Sequence, residues 1–121
     1  LLRFFFFASP AALAHQKLSE ALDLIAKANA GDTPIVRRLL RECIEHARRH
    51  TDEDDNNIIL STASTYLAHI QEAQDDDRRR PPRALYEQAL QAWPGNPDGA
   101  YALASIVKAE ARTDRDLRKV E

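Results

Sequence analysis

Methionine is absent from this chain of 121 residues, cysteine and tryptophan occur once each, and glycine occurs three times. Each scarcity excludes something. Without a methionine, Leu1 is not an initiator, which points to a processed start or to a longer parent chain. A lone cysteine, Cys43, rules out an internal disulfide framework. Few glycines and few β-branched runs argue against a sheet. No apolar run reaches the roughly 20 residues needed to span a bilayer. An excess of one charge sign is also missing, because the formal net charge is -2. Residues 1–50 carry 8 Lys and Arg against 5 Asp and Glu, and residues 51–121 carry 9 against 14. Neither half has the basic footprint of a dedicated nucleic-acid binder. A glycine-rich phosphate loop, a nucleophile elbow and a metalloprotease motif are all lacking. No pair of carboxylates sits where its pKa is evidently perturbed. The sequence therefore predicts a protein that is not an enzyme and takes no cofactor or small-molecule substrate.

What remains is helical. Alanine, leucine, arginine, glutamate and glutamine dominate, and all form helices well. A hydrophobic fraction of 44% with 30% charge suits one globular domain. Leu18, Leu22, Ile25 and Asn29, with Ala21 and Ala28 beside them, predict a first helix from about Ala14 to Asn29. Gly31 ends it, and Thr33 with Pro34 opens a second helix that runs to about His50. Val36, Leu39, Leu40, Cys43, Ile44 and Ala47 form its apolar stripe. A third helix runs from about Asn57 to Gln74, through Ile59, Ala63, Tyr66, Ile70 and Ala73 with Leu60 and Leu67. The run Asp75 to Arg80 followed by Pro81 and Pro82 is a linker, since residues before proline leave the helical region. A fourth helix covers about Pro82 to Trp93, a fifth about Asp98 to Arg112, and a sixth starts near Asp114. Short connections make sequential helices antiparallel. Hairpins at about 14–50, 57–93 and 98–121 then form one domain over residues 14–121, preceded by an apolar segment at 1–13.

The clearest hairpin spans Arg83 to Lys108. Tyr86, Ala89 and Leu90 close one amphipathic run, Pro94-Gly95-Asn96-Pro97 breaks it, and Ala100, Leu103, Ala104 and Val107 begin the next. Small Ala89 and Ala104 leave room where helices cross, and their large neighbours fill the grooves. Tyr86-Glu87-Gln88-Ala89-Leu90 with Pro94 and Asn96 resembles the second helix and exit turn of a tetratricopeptide repeat. Leu103, Ala104 and Val107 stand where the next repeat's first helix carries large, small and bulky apolar residues. The same run also resembles the half-a-TPR variant of RNA-processing scaffolds. The likeness covers about residues 83–121, and Leu67-Ala68 extends it loosely to the third helix. Pro82 and Ala100 depart from the pattern, which favours alanine and a large aromatic there. The resemblance implies an all-α fold of antiparallel hairpins stacked as a short α-solenoid, whose concave face binds a peptide or another subunit. Asp116 to Glu121 then opens that repeat's second helix. Such stacks need about three units for stability, so the open ends call for a partner.

Candidate functional residues fall into three groups. Phe4, Phe5, Phe6 and Phe7 cannot share one helix face, so at least one is available to dock on a partner subunit or membrane surface, or to fold back on the first helix. Arg37 and Arg41, with Arg38, Arg48 and Arg49, make the second helix the best surface for an anionic partner, including RNA, although Glu42 and Glu45 dilute it and no aromatic is interleaved. Cys43, His46 and His50 have Cys-x2-His-x3-His spacing on one helix and are a weak zinc candidate, since no fourth ligand is evident. Cys43 also fits the core as a small hydrophobe. Tyr101 is a further partner-binding candidate, or a packing residue with Tyr86 and Trp93. The expectation is a scaffold or accessory subunit among the protein subunits of a larger complex, with an RNA-processing scaffold and a zinc protein as alternatives. The aromatic, acid-poor start favours an organelle such as the mitochondrion.

Overall fold

Among the described residues, hydrophobic periodicity resolves into five helices. The computed structural model describes residues 10–27, 30–49, 54–74 and 82–120. Helices α1 (Pro10–Lys27), α2 (Thr33–Arg48), α3 (Asp54–Gln74), α4 (Arg83–Ala92) and α5 (Pro97–Val120) are joined in part by a 3-10 turn at Ala30–Asp32. No strand occurs among the described residues. Each helix packs on the next, α1 also meets α3, and α3 also meets α5. The result is an all-helical stack of antiparallel hairpins, solenoid-like, with α3 at its centre.

Most of the predicted stripes form the core. Val36, Leu39, Leu40, Cys43, Ile44 and Ala47 of α2 are all buried. They meet Ala14, Leu18 and Ala21 of α1 and Ile59, Leu60, Ala63 and Leu67 of α3. Alanines 14, 21, 47, 63, 68 and 89 are fully buried, so their missing side-chain bulk lets helices approach closely. A second cluster joins Ala68 of α3, Tyr86 of α4 and Ile106 of α5. Helix α1 begins at Pro10, a turn earlier than Ala14, because proline suits a first helical turn. Asp32 rather than Thr33 is the residue before α2, with Pro34 in the first turn. On α3, Ala73 is exposed and Tyr66 half-buried, while Ser61, Ser64 and Thr65 are buried. Polar residues take core positions there because α3 is covered on several sides.

The link from α4 to α5 explains those buried hydroxyls. Asn96 precedes Pro97, the first residue of α5, and its side-chain oxygen accepts the Gly99 N–H at 3.2 Å, an N-cap bond to the third helical residue. Its side-chain amide donates to Ser61 Oγ at 2.9 Å and to Thr65 Oγ1 at 3.0 Å. Ser61 in turn donates to the Ala89 carbonyl at 2.6 Å, and Thr65 to the Ser61 carbonyl at 2.9 Å. The backbone of Asn96 donates to the Trp93 carbonyl and accepts from Ala100. Every polar group of this buried residue is thus engaged, as burial demands.

This anchor corrects the expected face of α5. Gly99, not Ala100, turns inward, where a Cβ would lie 3.3 Å from the Asn96 amide nitrogen and 3.5 Å from Leu90. Ile106 is the buried residue of the helix, with Ala102 and Leu103 half-buried beside it. Ala104 and Val107, expected to pack between repeats, are exposed, as is Pro94, and Leu90 is half-buried. The helix is rotated by about one residue from the expected face, roughly 100°. The expected break before Asp114 is also absent. Thr113 donates to the Ala109 carbonyl at 3.1 Å within the helix, and α5 continues to Val120 as one element of 24 residues. No glycine or proline follows Gly99, so the stop signal needed for a third hairpin is missing.

Replacing Asn96 by alanine removes the cap and leaves two buried hydroxyls without their donor. Asn96→Ala is expected to destabilise the fold by about 2–3 kcal/mol, measured by urea unfolding followed by circular dichroism at 222 nm. A loss below about 0.5 kcal/mol, the range of ordinary surface substitutions, contradicts this role.

Candidate functional site

Because α2 and α4 each lean on α3, a groove opens between them. It is lined by Arg48 of α2, Asn57 and Leu60 of α3, and Ala84, Glu87, Gln88, Gln91 and Ala92 of α4. The α4 residues recur at i, i+3, i+4, i+7 and i+8, which is one face of a helix whose opposite side carries Tyr86 and Ala89 into the core. Leu60 is buried and forms, with the two alanines, an apolar floor. The rim holds three carboxamides and two opposite charges. The Gln88 Nε2 is buried there without a hydrogen-bond partner. A carboxamide offers a donor and an acceptor together, the same pair that an extended peptide backbone presents. Glu87 already accepts from Arg83 Nε at 2.7 Å, and Arg83 also pairs with Glu110 of α5, so α4 is braced against α5 beside the groove. Among the described residues, the groove is lined by no cysteine, histidine or hydroxyl side chain.

Helix α2 carries another, smaller hollow lined by Pro34, Arg38, Arg41, Glu42, Glu45, His46 and Arg49. Its charges are largely internal pairs. Glu42 meets Lys17 at 2.9 Å and Arg38 at 3.8 Å, and Glu45 meets Arg49 at 3.5 Å. The Lys17 ammonium beside Glu42 holds that carboxyl below its ordinary range. Exposed pairs of this kind contribute little stability, but they do cancel the field that a phosphate backbone needs. Arg41 is exposed in this hollow and Arg37 is half-buried outside it.

Cys43 does not face this hollow. It is fully buried against α1, where its thiol donates to the Ala14 carbonyl at 3.2 Å. His46 is half-buried at the surface, and His50 lies outside the described residues. Among the described residues no group of three or more His, Cys, Asp and Glu could hold a metal ion. Cys43 thus packs in the core between α2 and α1. Burial pushes its thiol up to about 12 from an ordinary 9.0, against a weaker opposing contribution from the Leu18 backbone.

The three aromatic candidates separate. Tyr86 is fully buried, its hydroxyl 2.9 Å from His69 Nδ1 and its ring edge-on to that imidazole at 5.5 Å. Burial, with the Glu72 carboxylate nearby, raises its phenol. Trp93 is half-buried, whereas Tyr101 is 78% exposed and does not pack. Phe4 to Phe7 lie outside the described residues. Among the described residues no helix is long and apolar enough to cross a membrane. Of the groove residues, Arg48 was expected only as part of a basic face of the second helix, and Glu87, Gln88 and Gln91 were not expected to bind a partner, although the i, i+3, i+4, i+7 recurrence on α4 was there to be read.

Both buried acids are held neutral in the folded chain and ionise more readily when unfolded. Their contribution is therefore complete below the unfolded thiol's value near 9 and is lost as pH rises towards 12. Urea unfolding midpoints should be flat from pH 7 to 9 and fall above it, with a shallower fall in Cys43→Ala. An identical alkaline slope in the variant contradicts the assignment. No protein-family model, no curated protein and no solved structure matches this chain.

Proposed function

We propose that this chain is a non-catalytic interaction module that holds a peptide segment of another protein in the groove between α2 and α4. One observation carries the reading. A groove of about 520 Å³ is floored by Leu60, Ala84 and Ala92 and rimmed by Asn57, Gln88 and Gln91, with a buried, unpartnered amide on Gln88. An orphaned buried donor costs free energy, and a bound carbonyl would relieve it. Arg48 and Glu87 at the rim favour a segment that brings both signs of charge. This is the role expected of a stacked helical hairpin acting as a scaffold or accessory subunit, and the likeness of about 83–121 to tetratricopeptide repeats agrees with it. An organellar assembly, with residues 1–9 as an additional docking segment, remains part of the proposal. RNA binding through α2 draws no comparable support, since Glu42 and Glu45 interrupt the basic face and pair with Arg38 and Arg49.

The test is photocrosslinking in extract from the source cells, with a benzophenone amino acid at Gln91 and, as control, at Arg41. A discrete protein adduct is expected at Gln91 only. Its yield should fall about tenfold, the effect of about 1.4 kcal/mol of lost contact, in the charge-reversed Glu87→Lys. Equal adducts at both positions, or an adduct indifferent to Glu87→Lys, defeats the groove as the binding site.

A further inference from the structure

We infer that the outer face of α5 is a self-association surface, on which two copies of this chain pair antiparallel about a two-fold axis near Ala104. The inward side of α5 is fixed by Gly99, Ala102, Leu103 and Ile106, and by Glu110 tied to Arg83. Opposite that side, Tyr101, Ala104, Lys108 and Ala111 stand in line and are all exposed. Helical geometry puts Ala100 and Val107 on one flank of this line and Asp98, Ser105 and Arg112 on the other. Tyr101 is 78% exposed and Val107 44%, which is a large apolar exposure for one short stretch of helix. Asp98, Lys108 and Arg112 have no ion-pair partner among the described residues. Ser105 turns its hydroxyl into its own helix, donating to the Tyr101 carbonyl at 3.0 Å, so it presents no unmet donor to a neighbour.

Charge complementarity selects the occupant. A two-fold axis perpendicular to a helix brings each flank against the same flank of the second copy, with the chain direction reversed. Centred near Ala104, it sets Asp98 beside Arg112 of the second copy, and the converse, giving two opposite-charge contacts. On the other flank Val107 meets Ala100 of the second copy. In the middle, Tyr101 lies over Lys108 of the second copy, an arrangement for a cation–π contact. Ala104 at the axis admits close approach of the two backbones. A parallel pairing would instead set the apolar flank against the charged one, with Asp98 and Arg112 facing Ala100 and Val107 of the second copy. The charges and the apolar residues therefore agree on one arrangement, and that arrangement is self-complementary. It shares no residue with the α2–α4 groove, so failure of either proposal leaves the other standing.

Sedimentation equilibrium over a concentration series tests the inference with the full chain. A monomer–dimer equilibrium is expected. Asp98→Arg and Arg112→Asp should each weaken it by about tenfold, and the two together should restore it to within about threefold of the parent, because the contacts are reciprocal. Tyr101→Ser should weaken it as well while leaving the helical circular dichroism unchanged, since that side chain is in solvent within the monomer. A chain that stays monomeric at several hundred micromolar overturns the proposal and leaves the face to a different protein. Dimers insensitive to all three single variants place the interface elsewhere. Loss of dimer in the singles without rescue in the double variant overturns the antiparallel register.

Discussion

The arrangement of the second half of this molecule depends on one buried carboxamide. Asn96 satisfies the first turn of α5 with its oxygen and two hydroxyls of α3 with its nitrogen. Those hydroxyls are themselves committed, Ser61 to the end of α4 and Thr65 to the turn above it on α3. The end of α4, the linking turn and the start of α5 are therefore all fastened to one helix. A buried polar network is tolerable only when every member is satisfied, so the geometry has little freedom. Apolar packing alone would leave α5 able to roll, since alanine-rich faces such as Ala100–Ala104 and Ala102–Leu103 offer similar contact.

Fixing that roll has consequences for the surface. With Gly99 and Ile106 inward, Tyr101 and Val107 are turned to solvent, and the face of α5 away from the stack becomes an apolar line flanked by charge. The same fastening holds α4 against α3 through Ser61 and the Ala89 carbonyl, so its Ala84–Gln88–Gln91 face is left to line the groove shared with α2. Arg83, paired with both Glu87 and Glu110, braces the two helices on the exposed side. One polar constraint thus sets both the groove proposed to hold a peptide segment and the face proposed to meet a second copy.

The groups with the most reactive chemistry are spent on the interior. The thiol of Cys43 joins α2 to α1, and the phenol of Tyr86 joins α4 to α3 at His69. Both are shifted away from ionisation by burial, which keeps the thiol and the phenol as neutral hydrogen-bonding groups. Two of the five arginines of α2 expected to form a basic patch, Arg38 and Arg49, are matched in place by Glu42 and Glu45. What the surface offers instead is carboxamides, a tyrosine and unpaired charges, groups that recognise other chains by hydrogen bonding and complementarity.

The helical class, the antiparallel order and the core stripe of α2 were legible in the sequence, because they rest on local rules. Six apolar positions at helical spacing have only one way to share a face, and they are the six that α2 buries. The turn at Pro94–Pro97 announced itself in the same way. The outward rotation of α5, its continuation past Arg112 and the burial of Ser61 and Thr65 were not legible. Leu103 is compatible with either of two adjacent faces, so periodicity alone left the choice open, and a serine on a helix reads as surface until its partner is known. That partner, Asn96, lies 35 residues along the chain from Ser61. Local spacing determined which residues form helices. Only the tertiary hydrogen bonds decided which way the last helix faces, and with it which residues are left to meet other molecules.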